Sequence, residues 1–161
     1  MITNKQELLQ AMIEAYIMEK ATNVFYEESV PKLKNESAVE VFKELAMWEH
    51  LHMDYIGFLY KAILDDRDMV SFEDFEKKVV GEELEGGISV EKMEEKLERR
   101  AFMDDEGAIV IALEIEGHAY NMYRRLSEEA ADTNTKSFMK DMMQWELKHI
   151  EYLKGLKAKI A

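Results

Sequence analysis

The sequence predicts an all-α protein, a four-helix bundle assembled from two helical hairpins. Three observations carry this. Helix breakers are scarce, with 7 Gly and 1 Pro among 161 residues, which favours long helices over a turn-rich β fold. Four segments place their apolar residues at a spacing near 3.6. The chain also repeats itself. A shift of 97 positions carries Glu19 to Glu116, Tyr26 to Tyr123, Lys43 to Lys140, Trp48 to Trp145, Glu49 to Glu146, His52 to His149 and Tyr55 to Tyr152. A repeat of that kind is one structural unit used twice.

The first helix is expected from about Thr3 to Val30, with Thr3 and Gln6 as a capping box and a stripe of Leu8, Met12, Tyr16, Asn23 and Tyr26. Pro31 disfavours helix at Val30 and marks the turn. The second helix is expected to begin at Ser37, with Glu40 completing another capping box. Its stripe is Ala38, Phe42, Leu45, Glu49, His52, Ile56, Leu59 and Ile63. The third, from about Glu106 to Glu129, aligns Ile109, Ala112, Glu116, Ala119 and Tyr123. The fourth, from about Thr135 to Ile160, aligns Met139, Met142, Glu146, His149, Leu153, Leu156 and Ile160.

Between the second and third helices lies a connection of about forty residues, roughly 65–105, with Gly86-Gly87 and shorter helical patterns around Phe72–Val79 and Val90–Ala101. It is longer than a hairpin turn needs. It suits a crossover from one end of a bundle to the other, joining two hairpins. The expectation is a single domain over 1–161, with the repeat at about 3–64 and 106–161.

Composition narrows the function. The formal net charge of −13 repels phosphate backbones, so nucleic acid is not an expected partner. The absence of cysteine excludes disulfides, thiol catalysis and thiolate-held metal. No apolar run approaches a membrane span and the first residues do not read as a signal peptide, so the expected location is cytoplasmic, with no membrane partner. The 12 Met suit a helical core, where flexible stems fill gaps.

Stripes that face a core should be apolar, yet all four carry a glutamate: Glu19, Glu49, Glu116 and Glu146. Two add a histidine three residues on, His52 and His149, and residues i and i+3 share a helical face. Four unpaired buried carboxylates would be prohibitive. Two divalent cations would neutralise them, and imidazole nitrogen with carboxylate oxygen suits iron, manganese or zinc. The register agrees. Glu19 to Glu49 and Glu116 to Glu146 are both 30 positions. Eleven residues up to Val30 and twelve down from Ser37 are each roughly 16–18 Å of helix, so both glutamates of a hairpin return to one level.

Neighbouring residues carry two readings. Tyr26 and Tyr123, seven residues after Glu19 and Glu116, are either hydrogen-bond donors to ligand carboxylates or ordinary core tyrosines. Asn23 and Tyr120 line a pocket or pack. Trp48 and Trp145 read as packing ahead of a redox role. His50 and His118 fall off the ligand face, towards the surface or a subunit contact. The acidic runs Glu82-Glu83, Glu94-Glu95 and Asp104-Asp105-Glu106 read as solvated faces.

The segments Glu19-Lys20-Ala21-Thr22-Asn23-Val24-Phe25-Tyr26, Trp48-Glu49-His50-Leu51-His52, Glu116-Gly117-His118-Ala119-Tyr120-Asn121-Met122-Tyr123 and Trp145-Glu146-Leu147-Lys148-His149 resemble the rubrerythrin group of ferritin-like di-iron proteins. The resemblance implies that Glu49 and Glu146 bridge two iron ions, with Glu19 and His52, and Glu116 and His149, as terminal ligands. Rubrerythrins proper carry a further glutamate three residues after the third-helix ligand, where this chain has Ala119, so the ligand shift attributed to it is missing. They also usually carry a four-cysteine rubredoxin domain. This cysteine-free chain is similar to the short, bundle-only relatives, which need an external electron donor.

The expected function is a di-iron oxidoreductase that reduces hydrogen peroxide or O₂ with electrons from a separate rubredoxin-like protein or flavoprotein. The alternatives are a ferroxidase or iron-handling protein, a non-enzymatic bundle holding zinc or no metal, and an oxygenase acting on an organic substrate. A homodimer is expected from such relatives and from Phe72, Phe75 and Phe102 in the connection.

Overall fold

In a computed structural model, residues 1–65, 70, 71, 74 and 104–161 are described. Four helices account for most of them: α1 (Lys5–Ser29), α2 (Glu36–Leu64), α3 (Asp105–Glu129) and α4 (Thr133–Ile160). A 3₁₀ turn, Val30–Lys32, joins α1 to α2 with Pro31 in its first turn, a position where a missing N–H costs nothing. The patterns expected at 72–79 and 90–101, the aromatic residues Phe72, Phe75 and Phe102, and the runs Glu82-Glu83 and Glu94-Glu95 lie outside the described residues.

The helices start at residues other than those the capping boxes suggest. Asn4, not Thr3, caps α1, its side chain accepting from Glu7 N, while Glu7 reaches back to the Thr3 N–H and hydroxyl. Asn35, not Ser37, caps α2 by accepting from Ala38 N. Asp104 caps α3 and Asp132 caps α4 in the same way. An amide or carboxylate oxygen fits this position as well as a hydroxyl does, so the Ser/Thr-x-x-Glu/Gln pattern misplaces the start by one or two residues. The run Asp104-Asp105-Glu106 is therefore more than a solvated face. Besides the Asp104 cap, Asp105 accepts from the N–H groups of Lys34 and Asn35 and ties the start of α3 to the α1–α2 turn.

That tie sets the topology. Asp105 stands at the Lys34 end of the first hairpin, whereas Leu64 ends α2 beside Lys5, whose Nζ donates to the Leu64 carbonyl. The chain thus leaves α2 at one end of the bundle and enters α3 at the other. At 1.5 Å per residue the 29-residue α2 is about 43 Å long, which only a long connection spans. α1 packs on α2 and α3 on α4, and the hairpins join through α1–α3 and α2–α4. Tyr26 meets Glu116 while Glu19 meets Tyr123, so α1 and α3 run antiparallel. Near Lys5, an isolated parallel bridge pairs Ile2 with Ala130.

The buried faces follow the predicted stripes. Met12, Phe42, Leu45, Ile56, Leu59, Ile109, Ala112, Met139, Met142 and Leu153 are fully buried, while Leu8, Tyr16, Ile63 and Ile160 are partly covered. Two apolar clusters result. One gathers Met12, Ile56, Leu59 and Met139, and the other Phe42, Leu45, Ile109 and Leu156. Between them sits a buried polar layer of Glu19, Glu49, His52, Glu116, Glu146 and His149. No described helix is long and apolar enough to cross a membrane.

Candidate metal centre

Each helix delivers its charged residue to this layer from the middle of its length, where backbone hydrogen bonds and flanking core contacts hold it rigid. The six side chains form two groups. Glu19, Glu49, His52 and Glu146 converge within 4.8 Å of one another, as do Glu49, Glu116, Glu146 and His149. Glu49 and Glu146 belong to both. His52 Nδ1 lies 3.1 Å from Glu19 Oε2, 3.4 Å from Glu49 Oε2 and 3.3 Å from Glu146 Oε1. His149 Nδ1 lies 2.9 Å from Glu49 Oε1, 3.5 Å from Glu116 Oε2 and 3.8 Å from Glu146 Oε2. Each shared glutamate therefore gives one oxygen to each histidine, and both histidines face the carboxylates through Nδ1.

His52 Nδ1 and Glu19 Oε2 share a hydrogen bond, but most of the other atoms in the layer are close without having one. Both carboxylate oxygens of Glu49 and of Glu146, Oε2 of Glu116 and both ring nitrogens of His149 are buried with no hydrogen-bond partner. Buried polar atoms in that condition are rare and costly. Here acceptor atoms converge on common points, and cations at those points would satisfy them. Two divalent ions balance four carboxylates, and the hard oxygen and imidazole donors suit iron, manganese or zinc. The residues fit the implied metal pair.

The outer carboxylate oxygens have donors. Tyr26 donates to Glu116 Oε1, and Tyr123 donates to Glu19 Oε1. Each tyrosine thus crosses from one hairpin to the other. Burial, then the charge of Glu116, pushes the Tyr26 hydroxyl well above its ordinary range. Burial, then Glu19, does the same to Tyr123. Both remain neutral donors.

Without cations, protons relieve the crowding. Burial and then the charges of Glu116 and Glu19 push Glu49 up to about 8. Burial and then Glu19, Glu49 and Glu116 push Glu146 well up. Burial alone would raise Glu19, but His52, Glu49 and Tyr123 outweigh it and hold it at about 2. Glu116 is lowered because contacts to His149, Glu146 and Tyr26 overcome burial. For His52 and His149 burial acts downwards, but Glu19 and Glu49 respectively lead the carboxylates that lift both well above the usual imidazole range. The pair of glutamates common to both groups keeps protons, and the pair bonded to tyrosine keeps charge.

The structure brings all six sequence-derived candidates together. Asn23 does not point into the layer freely: its Nδ2 donates to the Ala46 carbonyl at 2.7 Å and clamps α1 to α2. Its counterpart Tyr120 is half-buried. His50 sits at the surface 3.7 Å from Asp54, and His118 is exposed. The Trp residues do more than pack separately. Trp48 and Trp145 stack on each other, with centroids 5.2 Å apart and planes 28° apart. The 97-residue repeat contained that signal, because equivalent residues beside a two-fold axis meet each other.

The profile of the rubrerythrin family matches residues 9–157, nearly the whole chain. The chain belongs to the rubrerythrin family. No curated protein and no solved structure matches it. Membership in the rubrerythrin family and the buried Glu/His cluster both fit a metal site inside a helical bundle. The six candidate ligands and both tyrosines lie inside the matched range.

Proposed function

We propose that this rubrerythrin-family chain is a di-iron oxidoreductase that reduces hydrogen peroxide or O₂, drawing electrons from an external carrier protein of rubredoxin or flavoprotein type. The supporting observation is the pair of overlapping ligand groups that share Glu49 and Glu146. In this reading Glu49 and Glu146 would be shared by the two ions, Glu19 with His52 would hold one, and Glu116 with His149 would hold the other. When bound, the metal pair supplies two electrons and a Lewis-acid surface for the oxidant.

The chain's own residues set the conditions. Six side chains cannot saturate two ions, which leaves room for the oxidant. Tyr26 and Tyr123 fix the orientation of the terminal carboxylates by occupying their outer oxygens. The apolar clusters on both sides exclude bulk water, which strengthens every charge interaction in the layer. Glu49 and Glu146, which hold protons in the metal-free layer, would give them up to bind cations. The same reading takes the protein as a cytoplasmic homodimer.

The test is the reaction of anaerobically Fe(II)-loaded protein with peroxide and, separately, with O₂, followed by ferric absorbance in stopped flow. Fast oxidation by peroxide at two irons per chain is the expected result. Continued turnover of added Fe(II), or iron retained beyond two per chain, would replace it with an iron-handling role. Failure to take up iron would leave a bundle for another metal or none.

A further inference from the structure

Trp48 and Trp145, the only two Trp residues of the chain, directly precede the two shared glutamates. Their stacked rings lie half-buried between α2 and α4. Trp145 stands edge-on to the His52 ring, with centroids 6.3 Å apart. His52 in turn stacks on His149 at 5.2 Å with planes 12° apart. A continuous run of π systems therefore leads from the ligand histidines to the bundle surface. Tyr26 and Tyr123 are also oxidisable and lie closer to the carboxylates, but both are fully buried and hydrogen-bonded into the core. An electron vacancy on either is confined there. On the tryptophan stack it can be refilled from outside.

We propose that the Trp48–Trp145 stack is a one-electron relay between the candidate metal centre and the bundle surface, where the external one-electron donor proposed above refills it. The inference rests on the peroxide-reducing reading above. Hydrogen peroxide takes two electrons and two protons and leaves as two water molecules. When the metal pair holds only one reducing equivalent, the stack supplies the other. One electron leaves the shared π system, no bond in the chain forms or breaks, and both indole N–H protons stay in place. The pair is left as a radical cation spread over two rings. The donor protein returns one electron and is itself oxidised by one equivalent. The Lys148 ammonium, 4.2 Å above the Trp145 ring, disfavours positive charge on that ring. It biases the vacancy towards Trp48 and so away from the ring that touches His52.

The experiment mixes full-length protein, loaded with two irons and poised half-reduced, with hydrogen peroxide in the absence of donor. Samples are freeze-quenched for electron paramagnetic resonance. The expected result is a tryptophan radical that Trp48→Phe and Trp145→Phe each abolish or convert to the broader spectrum of a single ring, with ferric absorbance still rising at the wild-type iron content. Lys148→Ala should shift spin density towards Trp145. If Trp145→Phe disturbs metal loading through His52, Trp48→Phe decides alone, because the ring edge-on to His52 is that of Trp145. Ferric absorbance without any tryptophan radical, or a tyrosyl signal unaltered by both substitutions, overturns the relay and leaves the peroxide reading standing. No rise in ferric absorbance on adding peroxide overturns that reading itself. A measurement free of iron separates the two further. One-electron flash oxidation of metal-free protein should give a charge-resonance band of a stacked indole pair, lost in either Phe variant, and a band of isolated indole in the wild type would overturn the shared vacancy.

Discussion

Glu49 is fully buried, lies within reach of two histidines and is pushed up to about 8 by burial and by Glu116 and Glu19. Its folded value therefore stands above its unfolded value of 4.5. Such a group stabilises the metal-free fold fully below pH 4.5, and the contribution is lost as pH rises through about 8. His52 and His149, also raised, act in the same direction above their ordinary range. Glu19, held at about 2, acts oppositely, and its contribution is lost only in strong acid. Metal-free protein is thus expected to lose stability between about pH 5 and 8. Glu49→Gln, which keeps the shape and removes the ionisation, should flatten that loss. The variant should gain on the order of a few kcal/mol over metal-free wild type at pH 8 and nothing near pH 5, as read by denaturant melts. The same substitution should remove most of the iron, as should Glu146→Ala, while exposed Glu151→Ala leaves it unchanged by elemental analysis. Equal metal in all three would dismiss the ligand assignment. Tyr26→Phe acts through Glu116 and should weaken metal binding by roughly 10- to 100-fold without unfolding the chain. These residues were legible in sequence because a charge inside an apolar stripe is too costly to bury without a counter-charge, and here the stripes supply only carboxylates and imidazoles. The partners of the tyrosines were not, since spacing along one helix does not say which neighbouring helix a side chain will meet.

At the scale of elements, periodicity locates all four helices but not their first residues. A capping oxygen is a local choice among several nearby Asn, Asp, Ser and Thr residues, and the stripe does not constrain it. Asn35 caps α2 although Ser37-x-x-Glu40 has the better-known pattern. Asn35→Ala is expected to cost about 1 kcal/mol and Ser37→Ala much less, a difference that thermal melts can check. Lys159 donating to the Ser37 hydroxyl on the surface accounts for the small remainder. The helices also carry glycines that no steric demand explains. A Cβ at Gly57, Gly117 or Gly155 would meet nothing within 4 Å. Glycine in a helix interior costs roughly 0.5–1 kcal/mol relative to alanine. Gly155→Ala, past His149 on an exposed face of α4, should raise stability by about that amount with no change in metal content. Gly117→Ala should match it in stability. Because it lies beside Glu116, any accompanying loss of metal would mean that α3 must flex there to load the site.

At the scale of the whole molecule, each hairpin buries an apolar face, and the seam between hairpins carries the polar layer. α1–α2 and α3–α4 are the extensive contacts, and α1–α3 and α2–α4 the lesser ones. The sequence repeat made this division visible, and the length of the connection gave the crossover. What sequence could not supply is which helices face each other across the seam; the crossed Tyr26–Glu116 and Tyr123–Glu19 bonds set α1 against α3. The division has a thermodynamic consequence. In the metal-free state the seam joins at a layer where Glu49, Glu116, Glu146 and His149 retain unsatisfied buried atoms, so the seam is the weakest boundary in the bundle. A metal held in that layer would have no comparable site in the unfolded chain, so its binding free energy would add to folding. At free metal 100 times the dissociation constant, one site contributes about 2.7 kcal/mol, which for a chain of this size corresponds to roughly 5–10 °C in Tm. Chelation should therefore lower Tm by at least that much. It should also change the order of opening. Amide exchange in metal-free protein is expected to rise together at α2 residues 46–53 and α4 residues 143–150, the turns on both sides of the shared glutamates, while the Leu33–Ala38 and Asp104–Ala108 end, tied by Asp105, stays protected. Adding metal should return the centre to the protection of the ends. If chelation instead loosens all four helices evenly, the hairpins do not hold together independently of the site, and the layer is part of a single cooperative core.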